Sequence, residues 1–324
     1  MGEVVDFTSR ARSTRAPAGM TWIEGGRFLM GSDTGYPEEA PARVVEVDGF
    51  WIDTTPVTNA MFARFVQETG WLTLAEISPD PWDYPGAAPE LMVAGSLVFF
   101  PTDRPAPMHD ITAWWRWTSG ADWRHPTGPG SDLNGLWDHP VVHIAWQDAQ
   151  AYASWAGKEL PTEAEWEFAA RGGLEGAEFA WGDEFEPGGR VMANIWQGGF
   201  PHESRKPHGR FRTTPVGAFP ASAYGLFDMI GNVWEWTSDW WSTSSGAAPK
   251  SCCAPRNPAG GSREGSLDPQ QPDLQIPRKV IKGGSHLCAP SYCRRYRPAA
   301  RHPQPIDTST SHVGFRCLVR PRAA

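Results

Sequence analysis

The sequence is organised around a cysteine-containing stretch that reads Gly283-Gly284-Ser285-His286-Leu287-Cys288-Ala289-Pro290-Ser291-Tyr292-Cys293-Arg294-Arg295-Tyr296-Arg297. The chain of 324 residues has 5 cysteines, and two of them stand in this stretch, five positions apart. Two cysteines this close can form a disulfide, bind a metal ion or act as a redox pair. The stretch therefore holds the strongest chemical signal in the sequence.

The residues around the two cysteines bear on these alternatives. Thiolates are soft ligands that suit Cu(I), Zn(II) or the iron of iron–sulfur clusters. Closed zinc sites take four ligands, so two cysteines argue against a site made of cysteine alone. Two thiolates can still hold Cu(I) and leave room for a third sulfur, and Arg294, Arg295 and Arg297 should favour the ionised thiol. A structural disulfide or a pair of buried free thiols remains the alternative on spacing alone.

Composition and charge exclude several classes of protein. Hydrophobic residues make up 40% of the chain and charged residues 20%, which is ordinary for a globular protein. The net charge of −8 argues against a nucleic-acid partner. No run of 18 apolar residues is present, so we expect no membrane span or membrane partner. A monomer is the default expectation.

The N-terminal residues bear on the compartment. Arg10, Arg12 and Arg15 fall within the first 20 residues, which have no apolar core and do not resemble a secretory signal. We therefore expect a cytoplasmic location. In that reducing compartment structural disulfides are rare, which favours free or metal-bound thiols at Cys288 and Cys293.

The abundance of loop-forming residues predicts the general architecture. The chain has 34 Gly, 31 Pro and 18 Trp. Proline and glycine interrupt regular elements, and large aromatic side chains can hold the resulting loops together. We expect a flexible lead-in over residues 1–19 and one domain over residues 20–324.

Local patterns predict the regular elements. Residues 20–31 should form a hairpin that turns at Gly25-Gly26, and residues 44–53 a second strand pair. Helices are expected between Thr58 and Gly70 and between Thr162 and Gly172, because a capping residue and a glycine stop bracket each of them. Residues 139–146 should form a strand that leads into a third helix.

Several other segments have weaker signals. The proline-rich segment 78–135 should be irregular and form a wall of a binding cleft. His139 and His143 are too far apart along a strand to share one metal ion, at roughly 13 Å. Residues 242–278 should form a surface loop in which Cys252-Cys253 has no assigned role. Cys317 is expected to be a buried free thiol.

Short motifs along the chain resemble those of the formylglycine-generating enzyme (sulfatase-modifying factor) family over residues 20–320. They are Phe28-Leu29-Met30-Gly31, Glu39-Ala40-Pro41, Val57-Thr58-Asn59, Leu160-Pro161-Thr162-Glu163-Ala164-Glu165-Trp166-Glu167, Trp181-Gly182, Gly225-Leu226-Phe227-Asp228-Met229-Ile230-Gly231-Asn232-Val233-Trp234-Glu235-Trp236, Gly283-Gly284-Ser285 and Gly314-Phe315-Arg316. The resemblance implies a single compact α+β domain related to C-type lectins, with little regular secondary structure and many loops. Since these motifs belong to the shared fold, they do not select one activity.

The cysteine stretch does select an activity within that family. Its pattern, Gly-Gly-Ser-x-x-Cys-x-x-Ser-Tyr-Cys-x-Arg-Tyr-Arg, fits residues 283–297 without a gap. The resemblance implies an oxidoreductase that uses O2 to convert the cysteine of a Cys-x-Pro-x-Arg motif in an unfolded sulfatase to Cα-formylglycine. Cys288 and Cys293 would hold Cu(I), and the substrate thiol would be the third sulfur ligand.

The resemblance implies roles for other residues as well. Ser285, Trp234 and Tyr292 match positions around the oxygen pocket. Arg301 matches a position that lines the substrate cleft, and Asp80 is matched to the acidic residue that receives the substrate arginine.

Two calcium sites are also implied by the resemblance. The first would use side-chain oxygens of Asp228 and Glu235 and backbone oxygens of Gly231 and Val233. The second would use Asn194, Ile195 and an aspartate fourteen residues beyond Asn194, but that position is His208 in this chain. Because a hard cation prefers oxygen to imidazole, we do not expect the Asn194 site to bind Ca²⁺ in the same way.

Two other functions are compatible with the broad superfamily. A non-haem-iron sulfoxide synthase would need an extra helical domain and a His-x-x-x-His-x-Glu ligand set, whereas Ala145 follows His139 and His143 here. A non-catalytic lectin-like binding module would not need paired cysteines. Cys288 and Cys293, with their full flanking pattern, favour the oxidase over both.

Overall fold

The structure is a computed structural model that describes residues 17–206, 211–243 and 254–321. Most of the predicted lead-in lies outside these ranges, as do His208 and the pair Cys252-Cys253. Within them the α+β class is confirmed, with short helices and strands joined by many loops. No helix in the described ranges is both long enough and apolar enough to cross a bilayer.

The described part of the chain contains three α-helices, α1 (Asn59–Thr69), α2 (Trp146–Trp155) and α3 (Glu163–Arg171). The predicted caps of the first and third are confirmed. The Thr58 hydroxyl accepts a hydrogen bond from the Met61 amide at 3.3 Å. Thr162 and Glu165 form the capping box, in which the Glu165 carboxylate accepts from the Thr162 amide at 2.7 Å. Both helices end at a glycine in the left-handed conformation.

Among the residues that the structure describes, eleven short strands form four small sheets. They are β1 (Met20–Ile23), β2 (Gly26–Met30), β3 (Arg43–Val47), β4 (Phe50–Asp53), β5 (Gly95–Phe99), β6 (Trp115–Ser119), β7 (Trp234–Trp240), β8 (Arg278–Lys282), β9 (Arg301–Pro305), β10 (Val313–Gly314) and β11 (Leu318–Val319). The sheet orders are β1-β4-β11, β10-β7-β8-β9, β2-β3 and β5-β6. All pairs are antiparallel except β10 with β7.

The predicted hairpin at residues 20–31 and the predicted strand pair at 44–53 are both wrong in their pairing. β1 pairs with β4, and β2 pairs with β3, in one continuous register in which Ile23 faces Phe50 and Gly26 faces Val47. Gly25 does not lie at a hairpin tip. It packs against the backbone between β3 and β4, where a Cβ on this residue would come within 2.6 Å of Asp48. The two segments therefore form a single long antiparallel ribbon with a break at these glycines.

Two further predictions about regular structure need correction. The segment before α2 is not a strand, and His143 has a positive φ of 62°, which strand geometry does not allow. The segment 78–135 is not wholly irregular, since it contains the β5–β6 ribbon. Its prolines at 101, 105 and 107 fall in the connection between the two strands, where they do not disturb the pairing.

Two groups of buried side chains position the site. In the main core, Phe62 of α1 packs against Trp123, Tyr152 and Phe315. The second, smaller cluster has Phe99, Trp114, Trp196, Phe200, Leu287 and Ala289 as its buried members. The cysteine stretch lies between them, because Cys288 belongs to the main core while its neighbours Leu287 and Ala289 belong to the smaller cluster.

Candidate active site

The cysteine stretch leaves strand β8 through two glycines that the packing requires. Gly283 and Gly284 have φ values of 92° and 69°. A Cβ on Gly283 would lie 2.7 Å from the Met229 carbonyl, and a Cβ on Gly284 would lie 2.8 Å from the Arg295 carbonyl. Only glycine tolerates both a positive φ and neighbouring backbone atoms this close to the Cβ position. The two glycines therefore allow residues 284–296 to close into a compact loop.

The loop brings Cys288 and Cys293 face to face. Their Sγ atoms are 3.2 Å apart, and both thiols are free. A turn holds them in place, because the Cys293 amide donates to the Ala289 carbonyl at 2.9 Å. The Ser285 amide points at the Cys288 sulfur from 3.4 Å. The predicted meeting of the two thiols is therefore seen in the structure.

The pKa values of the two thiols are shifted in opposite directions. The hydrogen bond from the Cys288 thiol, aided by the charge of Arg295, lowers the pKa of Cys293 to about 7 against the opposing effect of burial. Burial raises the pKa of Cys288 well above its usual value, and its hydrogen bond to Cys293 adds to this shift. Near neutral pH the pair thus carries one negative charge, centred on Cys293 and shared through one proton.

Of the three arginines predicted to favour the thiolate, Arg295 is the one that acts on Cys293. Arg294 pairs at the surface with Glu178, and Arg297 is buried in a two-bond ion pair with Glu39. Both are thereby engaged with carboxylates. Arg295 itself donates to Glu38 at 2.7 Å.

Tyr292 of the cysteine loop belongs to an aromatic wall that it forms with Phe200 and Trp114. The Tyr292 ring stacks on Phe200 with centroids 4.4 Å apart and planes 3° apart, and it meets Trp114 edge-on at 5.6 Å. Burial raises the pKa of Tyr292, and the nearby charges of Cys293 and Cys288 raise it further. The Trp196 amide donates to the Cys288 carbonyl at 2.9 Å, which ties the loop to the same wall.

Ser285 and Trp234 lie in the surrounding structure. Ser285 is fully buried, and its hydroxyl accepts a hydrogen bond from the Leu287 amide at 3.2 Å. Trp234 is the buried first residue of β7, and its ring centroid is 5.8 Å from that of His302. Their expected roles around an oxygen pocket remain predictions.

Arg301 is held in the interior. Its guanidinium makes two 2.8 Å bonds to the two carboxylate oxygens of Glu163, and it donates to the Ser242 carbonyl at 2.9 Å. The Trp241 ring lies 4.5 Å from its guanidinium carbon. The residue is 2% exposed, so its predicted contact with substrate remains a prediction, and its contacts in this structure are structural.

Asp80 lies on the surface of the proline-rich segment. Its carboxylate accepts a hydrogen bond from the Trp82 amide at 3.0 Å, as in an ordinary Asx turn. The structure does not bring it into contact with the thiol pair, and its predicted role in binding a substrate arginine remains a prediction.

The proline-rich segment does line a cavity, of about 440 Å³. Its walls are mainly apolar and include Tyr84, Leu91, Leu97, Trp117, Leu274 and Ile276. The β5–β6 ribbon runs from this cavity to the smaller cluster, since Leu97 and Trp117 face each other at the cavity while Phe99 and Trp115 pair farther along, in that cluster. The expected cleft wall is thus present as a cavity wall.

The first predicted calcium set does not present free carboxylates. Both oxygens of Glu235 bond to Arg316 at 2.7 Å, and one of them also accepts from the Trp166 indole at 2.7 Å. Asp228 accepts from the Gly217 amide at 2.7 Å. Arg316 already balances the charge of Glu235, so these donors do not fit a divalent cation as they are arranged. Calcium at Asp228, Gly231, Val233 and Glu235 therefore stays a prediction from the family resemblance alone.

The second predicted calcium set is also engaged. The Asn194 side-chain oxygen accepts a hydrogen bond from the Lys206 ammonium, and its amide nitrogen donates to the Arg212 carbonyl at 3.1 Å. Ile195 is a buried side chain of the main core. Burial lowers the pKa of Lys206 to about 7. Asn194 and Ile195 therefore do not fit Ca²⁺ as they stand.

The thiol pair does fit a soft metal ion. Cys288 and Cys293 are free and in contact, Cys288 is buried, and the pKa of Cys293 is lowered to about 7. These are properties of a site for Cu(I). Within the described ranges no group of three or more His, Cys, Asp or Glu residues is arranged to hold a metal. His143 contacts Ser96 at 2.7 Å and Pro126 at 3.0 Å instead.

Sequence reasoning missed the partners that hold the site from a distance. Glu38 fixes Arg295, and Tyr36 lies 4.0 Å from the same guanidinium. Glu163, the first residue of α3, is the partner of Arg301. Glu39-Ala40-Pro41 was noted as a motif, but no local pattern signals a contact with a loop more than 250 positions away.

Comparison with known proteins extends this description. Residues 6–321 match the family described as the sulfatase-modifying factor enzyme 1-like domain. A protein named formylglycine-generating enzyme from Mycobacterium tuberculosis is 50% identical over 92% of this chain and 97% of its own length. The structure of PvdO from Pseudomonas aeruginosa is similar in fold, with a TM-score of 0.56 at 24% identity over 93% of this chain and 94% of that one.

Some relatives carry a name that calls them inactive. The inactive C-alpha-formylglycine-generating enzyme 2 of Bos taurus is 43% identical over 92% of this chain and 87% of its own length. Identity over the whole chain therefore establishes the family, while activity has to be argued from the thiol pair. The chain belongs to the formylglycine-generating enzyme (sulfatase-modifying factor) family.

Proposed function

We propose that this protein is a copper-dependent oxidase that converts the cysteine of a Cys-x-Pro-x-Arg motif in unfolded sulfatases to Cα-formylglycine with O2. The observation that carries the proposal is the contact between the free thiols of Cys288 and Cys293 at 3.2 Å. The names of the active relatives support the conversion of a sulfatase cysteine. Copper and O2 are our additions, based on the soft, enclosed donor pair.

The electron balance sets a requirement for the reaction. Converting a CH2–SH group to an aldehyde, with release of the sulfur as sulfide, yields two electrons and takes one water. Reduction of O2 to two waters consumes four electrons. Two external thiols, which are oxidised together to a disulfide, must therefore supply the other two, so the reaction needs a reductant in addition to O2.

The residues around the thiols prepare the site for this chemistry. When bound, copper would supply the ability to react with O2. Cys293 provides a thiolate near neutral pH, and Cys288 holds the proton that must leave when a metal binds. The stacked rings of Tyr292 and Phe200 limit water on one side. The Tyr292 hydroxyl keeps its proton, since its pKa is raised, and can donate a hydrogen bond toward the sulfurs.

The setting of the reaction is also proposed. A cytoplasmic location would keep Cys288 and Cys293 reduced, in agreement with the free state of all three described cysteines. We keep a monomer as the working state, with the unfolded sulfatase segment as the macromolecular partner. Calcium is not part of the proposed chemistry.

The proposal is tested with a peptide that contains Cys-Thr-Pro-Ser-Arg. The peptide is incubated with the reduced protein, Cu(I), a thiol reductant and air, and the aldehyde is trapped with a hydrazine and measured by mass spectrometry. We expect aldehyde with the native protein and a loss of at least about 100-fold in Cys288→Ser and Cys293→Ser, as for the loss of a metal ligand. Cys317→Ser is the matched control, since Cys317 is a free buried thiol outside the loop.

A second candidate function is a non-catalytic binding module, which the inactive relative brings into consideration. The same experiment separates the two. If the folded protein bound copper but made no aldehyde, a different oxidised substrate would be indicated. If it neither bound copper nor made aldehyde, the binding module would be the better description.

A further inference from the structure

The predicted calcium position at Asn194 is occupied by the side-chain amine of Lys206, which carries a positive charge below its pKa of about 7. The Lys206 ammonium donates to the side-chain oxygen of Asn194, which is the atom that would have served as a metal ligand. In the described part of the chain no carboxylate lies within ion-pair distance of Lys206. An amide oxygen, rather than an acidic residue, is thus its identified partner.

The rest of Asn194 is committed to the protein. Its amide nitrogen donates to the Arg212 carbonyl at 3.1 Å and to the Asn232 side-chain oxygen at 3.2 Å. Its own carbonyl accepts from the Asn232 amide at 2.8 Å. The side chain is 1% exposed. A calcium ion at this position would have to displace the ammonium from a buried oxygen.

We propose that Lys206 takes the place of a structural calcium ion at Asn194. An ammonium group and a metal cation can both bind a buried amide oxygen through their positive charge. The lysine is part of the chain, so unlike a metal ion it cannot dissociate from the protein. The sequence agrees, because His208 stands where the family pattern has an acidic ligand. The inference is independent of the proposed oxidation.

The replacement of a calcium ion by Lys206 has a consequence for the thiol pair. Asn194 lies two residues before Trp196, whose amide holds the Cys288 carbonyl at 2.9 Å. The chain between Trp196 and Lys206 is folded on itself, since the Arg205 amide donates to the Gln197 carbonyl at 2.7 Å. Lys206 therefore joins the end of this segment to its beginning. The support behind Cys288 should then be independent of calcium.

Hydrogen exchange of the native protein tests the proposal without any activity assay. Amide exchange is followed by mass spectrometry in peptides that cover residues 194–206, at about pH 6, where Lys206 is charged. One buffer contains about 1 mM EDTA, which removes calcium, and the other about 5 mM CaCl2, which nearly saturates even weak sites. We expect the same protection in both buffers, within about twofold. A rise of tenfold or more in protection with calcium, confined to these peptides, would overturn the proposal. Peptides over residues 228–235 report separately on the other calcium set.

A variant adds an independent measurement. Lys206→Met keeps the length of the side chain and removes the charge, so exchange of the 194–206 peptides should accelerate by about tenfold or more in EDTA. Arg205→Met is the matched control, because Arg205 is a neighbouring exposed cation paired with Glu203. Unchanged exchange in Lys206→Met, at the level of the control, would show that the ammonium does not hold the segment. If Lys206→Met fails to fold, the comparison of the native protein in the two buffers still decides.

Discussion

The sulfur of Cys288 lies 3.2 Å from that of Cys293, and the two thiols share one proton near neutral pH. Cys293 has a pKa of about 7 because it accepts the Cys288 hydrogen bond and lies near Arg295. The group that reacts with an alkylating reagent is the thiolate. We therefore expect the rate of Cys293 alkylation to rise with pH around a midpoint of about 7.

Replacement of Arg295 by methionine should move this midpoint upward. The positive charge favours the thiolate, so its loss raises the pKa of Cys293, by about one unit for a partly buried charge. The measurement is the pH profile of iodoacetamide labelling at Cys293, determined by mass spectrometry. Arg294→Met is the control, since Arg294 pairs with Glu178 at the surface. Equal shifts in both variants would contradict the role assigned to Arg295.

Tyr292 combines a packing surface with a hydroxyl whose pKa is raised by burial and by the charges of Cys293 and Cys288. Tyr292→Ala removes the stack on Phe200 and should lower stability by about 3 kcal/mol or more, as other large aromatic truncations do. Tyr292→Phe keeps the ring, so the melting temperature should change little. If the hydroxyl acts on the reacting sulfurs, Tyr292→Phe should lower kcat by about 10-fold or more with a small effect on KM. An unchanged kcat in Tyr292→Phe would limit Tyr292 to packing.

Elements set by neighbouring residues could be predicted from the sequence, while strand partners could not. Thr58, Gly70, Thr162 and Gly172 mark helix ends because a cap acts within one turn. The Gly25-Gly26 pair has the composition of a hairpin turn, but β1 and β2 pair with strands on the far side of residues 31–42. Local composition does not distinguish a turn from a break in a longer ribbon.

The same distinction holds at the site. Ser285, Cys288, Tyr292 and Cys293 are close in sequence, so the motif predicted their meeting. Glu38 lies 257 positions from Arg295, and nothing near either residue predicts their bond. The contacts that tune the thiols depend on the tertiary fold, which the local pattern does not contain.

The ion pair of Glu163 and Arg301 gives an asymmetric prediction. Glu163→Gln leaves the buried Arg301 without its carboxylate partner, and removal of one member of such a pair costs about 3–5 kcal/mol. Arg301→Met should cost less, because Lys282 remains 3.5 Å from Glu163 and balances its charge. Urea unfolding of both variants checks the order.

A comparison with Arg301→Lys separates this role from the predicted contact with substrate. Lysine keeps the charge and loses the two-bond geometry. If Arg301 is purely structural, Arg301→Lys should have the same KM as the native protein under conditions in which both are fully folded. A KM raised by about tenfold or more in folded Arg301→Lys would instead support the substrate role.

Buried histidines should determine the loss of stability in acid. Burial lowers the pKa of His143 to about 4, and the pKa values of His286, His302 and His312 are lowered as well. Between the folded pKa of about 4 and the unfolded value of about 6.5, the unfolded chain binds more protons than the folded one. The free energy of unfolding therefore rises with pH in this window, and the stability present above pH 6.5 is lost as the pH falls toward 4.

His143→Asn isolates the part due to one residue. Asparagine tolerates the left-handed backbone at this position, where φ is 62°, and it does not titrate. The variant should be less stable than the native protein at pH 7, because the bonds to Ser96 and Pro126 are weakened. Its free energy of unfolding should fall less between pH 7 and pH 4, by on the order of 3 kcal/mol for one group with this shift.

Urea unfolding at a series of pH values measures both quantities. His109→Asn, at an exposed position, is the matched control. If the curves of free energy against pH for the native protein and His143→Asn ran parallel from pH 7 to pH 4, His143 would be excluded as a source of the acid sensitivity. The remaining histidines, beginning with His302 beside Trp234, would then have to account for it.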